Sequence, residues 1–236
     1  MALPKLNDQP KFEITVPSTK EMHRFRPFLV KEEKVLLIAL ESNDQTQMLN
    51  AIADTVDACS DGSVKVNDLT TYDIEYLFTQ LRGKSVGETT KLQMICTECE
   101  NTTEAVIYLD DIKMTGGTTS PIIEVAPNIS IELGYPAYIN MMNDETIMGE
   151  DAPAATFAMI RTCIKAVLTD DERIDMKDEA PEAIDEFIES MNSSQFQKIR
   201  EFIDDMPSMK HDVEFTCDHC KHENKTTLEG MQAFFS

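Results

Sequence analysis

Two Cys-x-x-Cys pairs stand far apart in this chain: Cys96 and Cys99 in "MICTECENTTEA", and Cys217 and Cys220 in "FTCDHCKHENKTTLE", 121 residues further on. A Cys-x-x-Cys turn between two strands aims successive amides and both thiolates at one point. That is a zinc knuckle, and two knuckles complete a tetrahedral site of four thiolates. Knuckles that share an ion usually lie about 15–20 residues apart, so spacing alone does not pair these two. Their surroundings do. Each pair follows a β-like segment, and each precedes a polar stretch with Asn and a Thr-Thr pair: Asn101-Thr102-Thr103 and Asn224-Lys225-Thr226-Thr227. A zinc ribbon whose middle is opened by a helical insertion explains the likeness. Such an insertion is tolerable because loop closure costs only the logarithm of loop length.

Other readings of the four cysteines stay open at this level. They could be two reduced, metal-free pairs. A thioredoxin-like redox pair fits poorly, since neither pair opens a helix after a strand in a βαβ unit. His219 or His222 could replace one thiolate. The expected site is Cys96, Cys99, Cys217 and Cys220 around a structural Zn2+. Four protein ligands leave no position for water, so such a site holds the fold and does not catalyse. The remaining cysteines, Cys59 and Cys163, fall on apolar helix faces and read as buried, inert thiols.

Charge narrows the partners. The chain of 236 residues carries 43 Asp and Glu against 21 Lys and Arg, a net charge of −22. Phosphate backbones repel such a surface unless a basic patch intervenes, and the densest basic group is only His23, Arg24 and Arg26. No nucleic-acid partner is expected. The longest apolar run, Val35 to Leu40, is far short of the roughly 20 residues that span a bilayer, so no membrane partner is expected either. The first residues, "MALPKLNDQP", lack the basic start and apolar stretch of a signal peptide. A cytosolic location with reduced thiols is the expectation.

The patterning predicts alternating β and α blocks. Phe12–Val16 and Met22–Phe28 read as a hairpin around Pro-Ser-Thr-Lys. "VKEEKVLLIALES" reads as a helix, and its run Val35–Leu40, apolar on all sides, predicts burial. A second helix places Met48, Leu49, Ile52, Ala53 and Val56 on one face, capped by Ser42, Asn43 or Asp44. A third carries Ile74, Leu77, Phe78 and Leu81, with Gly83 placed to end it. Strands flank the first cysteine pair, and "MTGGTTSP" reads as a hinge. "IIEVAPNISIELGYP" is a strand pair. "APAATFAMIRTCIKAVL" predicts a helix with Phe157, Ile160, Ile164, Val167 and Leu168 on one face. Two more helices follow, "PEAIDEFIESM" and "SSQFQKIREFIDDM", the latter capped by Ser193 or Ser194. "HDVEFT" leads as a strand into the second pair.

No catalytic constellation emerges. The chain lacks H-E-x-x-H, G-x-S-x-G, a phosphate loop and G-x-G-x-x-G. The segment from Asp170 to Glu189 holds ten acids against two bases, a net of −8. It is either a solvated face or a docking surface for a basic partner. Arg24, Phe25, Arg26 and Phe28 are either core packing or an Arg-Phe partner surface, and the two Phe of the terminal "MQAFFS" either tuck into the ribbon or insert into a partner.

At "RPFLVKEEKVLLIALES", Arg26 to Ser42, and again at "YDIEYLFTQLRGKSVGE", Tyr72 to Glu88, the chain resembles the baseplate hub and hub-assembly proteins of T-even-like contractile-tailed bacteriophages. The likeness runs on through a Cys-x-x-Cys pair, a helical region and a terminal strand with a second pair. It covers most of the chain from Phe12 onward and is strongest over Phe25–Glu88. It implies a part in building the hub of the tail baseplate, as a piece of the virion or as an assembly chaperone that leaves. It also implies other phage baseplate or tail proteins as partners, and the host cytoplasm as the place of assembly. It brings no active-site residues.

Taken together, the expected fold is α+β, mainly helical, with an N-terminal β-hairpin and a split zinc ribbon interrupted by a helical insertion. The expected parts are a hairpin and three-helix region over 1–90, the ribbon over 91–112 plus 208–236, and the insertion over 113–207. The expected function is non-enzymatic, through protein–protein contacts. The rivals are a zinc-ribbon regulator that touches nucleic acid and a metal-dependent hydrolase, which would need an open zinc position.

Overall fold

The computed structural model describes residues 10–42, 44–149 and 151–230. Among these the chain forms seven α-helices and eleven strands in four antiparallel sheets, with 41% helix and 28% strand. The class is α+β, and the expectation of a mainly helical chain is wrong. Two features raise the strand content above what the patterning predicts. The predicted helix through Leu168 stops at Cys163, and short strands at Lys113–Thr115 and Arg173–Asp175 complete sheets. The expected N-terminal hairpin is present, β1 (Phe12–Thr15) against β2 (Met22–Phe25), with Phe12 opposite Phe25.

The chain divides into two compact units: residues 1–115 with 208–236, and residues 116–207. In the first, α1 (Val30–Glu41), α2 (Gln45–Ser60) and α3 (Thr71–Ser85) follow the hairpin. Asp44 caps α2 by accepting from the amides of Thr46 and Gln47. Thr70 caps α3 in a box with Asp73, an arrangement worth about 1 kcal/mol. Ile52, Val56 and Cys59 of α2 are buried, as are Ile74, Leu77, Phe78 and Leu81 of α3. Each fully buried apolar side chain of this size contributes about 1.5–3 kcal/mol. Gly83 does not end α3, which runs on to Ser85.

The Arg-Phe segment resolves into core and clamp. Phe25 is fully buried, and Phe28 stacks on Phe78 with ring centres 6.4 Å apart. Arg26 donates to Glu32 at 2.8 Å in a largely buried pair, and Glu32 also accepts from the Leu29 amide at 2.8 Å. Burial works against the Glu32 charge, but the bonds from Arg26 and Leu29 outweigh it and hold the carboxyl below its usual range. Arg24 is exposed and pairs with Glu13.

The predicted burial of α1 does not occur. Only Glu32 and Ala39 of this helix are buried, while Val30, Val35, Leu37, Ile38 and Leu40 are exposed. An apolar run is compatible with a buried helix but does not supply the neighbours that would bury it.

The strands that follow build two separate sheets. β3 (Thr89–Ile95) pairs with β4 (Thr102–Tyr108), and side chains alternate strictly between exposed and buried along both. β5 (Lys113–Thr115) pairs with β10 (Ser208–Thr216), which also pairs with β11 (Glu223–Glu229).

The second unit begins at Gly116, whose φ of +91° suits glycine, and a Cβ there would stand 2.8 Å from the Asp205 carbonyl oxygen. The two ends of this unit are tied together. One carboxylate oxygen of Asp205 accepts from the amides of Thr118 and Thr119, both at 2.7 Å, and from their hydroxyls at 3.0 and 2.8 Å. The sheet runs β6 (Ile122–Ala126), β7 (Ile129–Leu133), β8 (Ile164–Thr169), β9 (Arg173–Asp175) in that order. Its helices are α4 (Tyr138–Asn143), α5 (Ala152–Cys163), α6 (Pro181–Glu189) and α7 (Ser193–Asp204). Ile131, Leu133, Ile160, Ile164, Ile184, Ile188, Ile199 and Phe202 form the core. Asn192, not a serine, caps α7 by accepting from the amides of Ser194 and Gln195. Of the ten acids in 170–189, all but Asp175 are exposed, while α6 turns Ile184 and Ile188 inward. Exposure of this kind is what a solvated face and a docking surface both require. The terminal Phe residues lie outside the described residues.

Candidate metal centre

Each cysteine pair occupies the turn of a hairpin, β3–β4 for the first and β10–β11 for the second, and the two turns are built alike. In the first, the Cys96 amide donates to Asn101 O at 2.9 Å and the Glu100 amide to Cys96 O at 3.0 Å. In the second, the Cys217 amide donates to His222 O at 2.9 Å and the Lys221 amide to Cys217 O at 3.0 Å. The residue after the second cysteine takes positive φ in both, Glu100 at 58° and Lys221 at 63°. That left-handed residue closes the loop so that amides point at sulfur. Those of Glu98 and Cys99 face Cys96, and those of His219 and Cys220 face Cys217.

The four sulfurs lie within 4.8 Å of one another. Cys96 Sγ is 3.6 Å from Cys220 Sγ, and Cys99 Sγ is 3.6 Å from Cys217 Sγ. A regular tetrahedron with Zn–S bonds of about 2.3 Å has S···S edges of about 3.8 Å, so the donor set fits such an ion. None of the four cysteines is in a disulfide. Neither His219 nor His222 belongs to the cluster.

Electrostatics divide the thiols. Amide donation from Cys220, ahead of the other contacts, pulls Cys217 down to about 6. At Cys220 the His222 amide acts in the same direction, but burial and the sulfurs of Cys99, Cys96 and Cys217 outweigh it and push the thiol up to about 12. Like charges sharing one site cannot all form without a cation to balance them. At Cys96 burial opposes the charge, yet donation from the Cys99 and Glu98 amides and from Asn224 lowers the thiol.

Asn224 and Thr103 lock the two hairpins together. The Asn224 side-chain oxygen accepts from the Thr97 amide and hydroxyl, both at 2.9 Å, while its nitrogen approaches Cys96 Sγ at 3.5 Å and donates to His222 O at 3.1 Å. Thr103 Oγ accepts from the Asp218 amide at 3.1 Å. Both residues are buried. They belong to the polar repeats that follow the cysteine pairs, where the sequence marks the likeness but not the cross-links. Cys59 and Cys163 are fully buried elsewhere, and burial pushes their thiols up to about 11 and about 12.

Fold and site together define a two-unit α+β protein in which a four-sulfur clasp joins hairpins far apart in sequence. The chain belongs to the T4 bacteriophage base plate protein family, whose model matches residues 9–236. No curated protein and no solved structure matches it. Membership makes it a structural baseplate protein of the phage tail that meets other tail or baseplate proteins. No helix among the described residues is long and apolar enough to cross a membrane.

Proposed function

We propose that this chain is a non-enzymatic baseplate hub or hub-assembly protein, and that Cys96, Cys99, Cys217 and Cys220 hold a structural Zn2+. The observation that carries the metal reading is the convergence of four sulfurs from two distant hairpins. In this reading the ribbon, 91–112 with 208–236, clasps both ends of the 113–207 insertion, beside the 1–90 region. An all-sulfur donor set selects a thiophilic ion, and with four protein ligands it is coordinatively closed. A metal-dependent hydrolase, which needs an open position, is therefore disfavoured.

The hub assignment rests on family membership across the whole matched span and on the likeness at Arg26–Ser42 and Tyr72–Glu88. The net charge of −22 supports protein partners over nucleic acid, which weighs against a zinc-ribbon regulator. Assembly in the host cytoplasm keeps the thiols reduced and able to bind metal. A chaperone that leaves before the particle is complete is the alternative within the same class. Quantitative mass spectrometry of purified particles and of lysate from infected cells separates the two. A hub component stays in the particle at fixed stoichiometry, whereas a chaperone is abundant in lysate and missing from the particle. Absence of contacts with any tail protein in crosslinked lysate would overturn both.

A further inference from the structure

We propose that α1 is a self-association surface, on which a second copy of this chain packs its own α1 in antiparallel orientation about a two-fold axis between Leu37 and Ile38. The helix exposes Val30 at 78%, Ile38 at 57% and Leu37 at 55%, apolar side chains on one face, and grouped exposure of this kind marks interaction sites. What identifies the occupant is the charge on that face. Lys34 and Glu41 are seven residues apart, so at 3.6 residues per turn they lie on nearly one line, about 10 Å apart along the axis. Leu37 and Ile38 lie between them in height and about 50° to either side. Neither Lys34 nor Glu41 has an ion-pair partner among the described residues.

A two-fold axis at the level of Leu37 and Ile38 inverts this face onto itself. Lys34 of each copy then meets Glu41 of the other, twice by symmetry. Leu37 meets Leu37 of the second copy on one flank, and Ile38 meets Ile38 on the other. A parallel partner would set Lys34 against Lys34, and a uniformly basic or acidic partner would leave one charge of the face unmatched. The last turn of α1 has no basic residue of its own, and the antiparallel copy brings one to that negative helix end. The contact surface of a three-turn helix is that of a weak interface, below about 1,200 Å² in total, so dissociation is expected in the micromolar range. This inference is independent of the hub assignment.

Sedimentation velocity of the purified full chain at about 0.15 M salt, where screening limits repulsion between two acidic bodies to about 8 Å, tests it. The native chain should shift from monomer to dimer with rising concentration. Lys34→Glu and Glu41→Lys should each weaken the dimer about a hundredfold, because every change enters twice, and the double variant K34E/E41K should restore it. Leu37→Asp should leave a monomer with unchanged circular dichroism. A native chain that stays monomeric, including one that uses α1 to bind a different baseplate protein, overturns the proposal. So does a dimer that survives the single charge reversals, or one that the double variant fails to rescue.

Discussion

Asn224 is the side chain whose replacement most specifically probes the clasp. It is only 5% exposed and spans the two hairpins without being a ligand. Asn224→Ala removes the acceptor for both the amide and the hydroxyl of Thr97, and the donor that approaches Cys96 Sγ. Thr97 is itself exposed, so its freed groups can turn to water, and the His222 carbonyl that Asn224 also bonds keeps its bond from the Cys217 amide. The loss is then near the net worth of the two bonds to Thr97, about 1 kcal/mol each. A total of about 2 kcal/mol corresponds to a fall of about 4–8 °C in melting temperature for a chain of this size. Residues that orient metal ligands through hydrogen bonds typically govern about 10- to 100-fold in metal affinity, so a competing chelator should take the ion from the variant at a correspondingly lower concentration. Asn224→Asp separates the two effects. It keeps an acceptor for Thr97 but sets a negative charge beside a thiolate, so it should cost more affinity than Ala does. Calorimetry and chelator titration on the metal-loaded protein read both. If Asn224→Ala melts within the scatter of a surface change, about 0.5 kcal/mol, and yields metal as the native chain does, the claim that Asn224 holds the two hairpins in register is refuted.

Glu32→Gln should cost about 1–2 kcal/mol, the difference between an ion-paired hydrogen bond from the Arg26 guanidinium and one to a neutral amide oxygen. Because the folded Glu32 carboxyl sits below its unfolded value of about 4.3, its contribution is complete above that pH and lost as pH falls through the folded value. Urea titrations down the acid limb should therefore show a steeper loss of stability for the native chain than for the variant, in which Asp44, Asp61, Asp205 and Glu229 still contribute. Phe202→Ala, which removes a buried ring stacked on Tyr135 at 4.8 Å, should cost the 116–207 unit about 3–5 kcal/mol. It should expose that unit to protease while metal content stays unchanged, since all four ligands lie in the other unit. A thiol reagent added after chelation should label Cys96, Cys99, Cys217 and Cys220, whereas Cys59 and Cys163 should react only on unfolding.

The hairpin, α2, α3, α6 and α7 were legible because each carries a local signal: alternation around a turn, an apolar stripe behind a capping residue, or, for α6, a proline that opens the helix. The α5–β8 junction was not. Phe157, Ile160, Ile164 and Val167 continue a helical stripe, yet the chain turns to strand at Ile164, because Ile131 and Leu133 of β7 offer a sheet edge for β8 to pair with. Tertiary pairing overrode a local period that fits helix and strand alike. For α1 the fault ran the other way. A run apolar on all sides predicts burial, but burial depends on which elements are adjacent, and the helix rests on Glu32 and Ala39 with most of its apolar side chains in solvent. At the site, the likeness between the two cysteine pairs was visible in sequence, because both hairpins repeat one turn down to the positive-φ residue. The cross-links through Asn224 and Thr103 were not, since a side-chain contact spanning more than a hundred residues leaves no local periodicity.

Elemental analysis of the purified native chain, paired with its melting curve before and after chelation, tests the central claim most directly. One zinc per chain is expected, bound only while the four cysteines are reduced, with its removal lowering the melting temperature and Cys96→Ser or Cys220→Ser abolishing it. A chain that carries no stoichiometric metal with its thiols reduced, and melts identically with and without chelator, would contradict it.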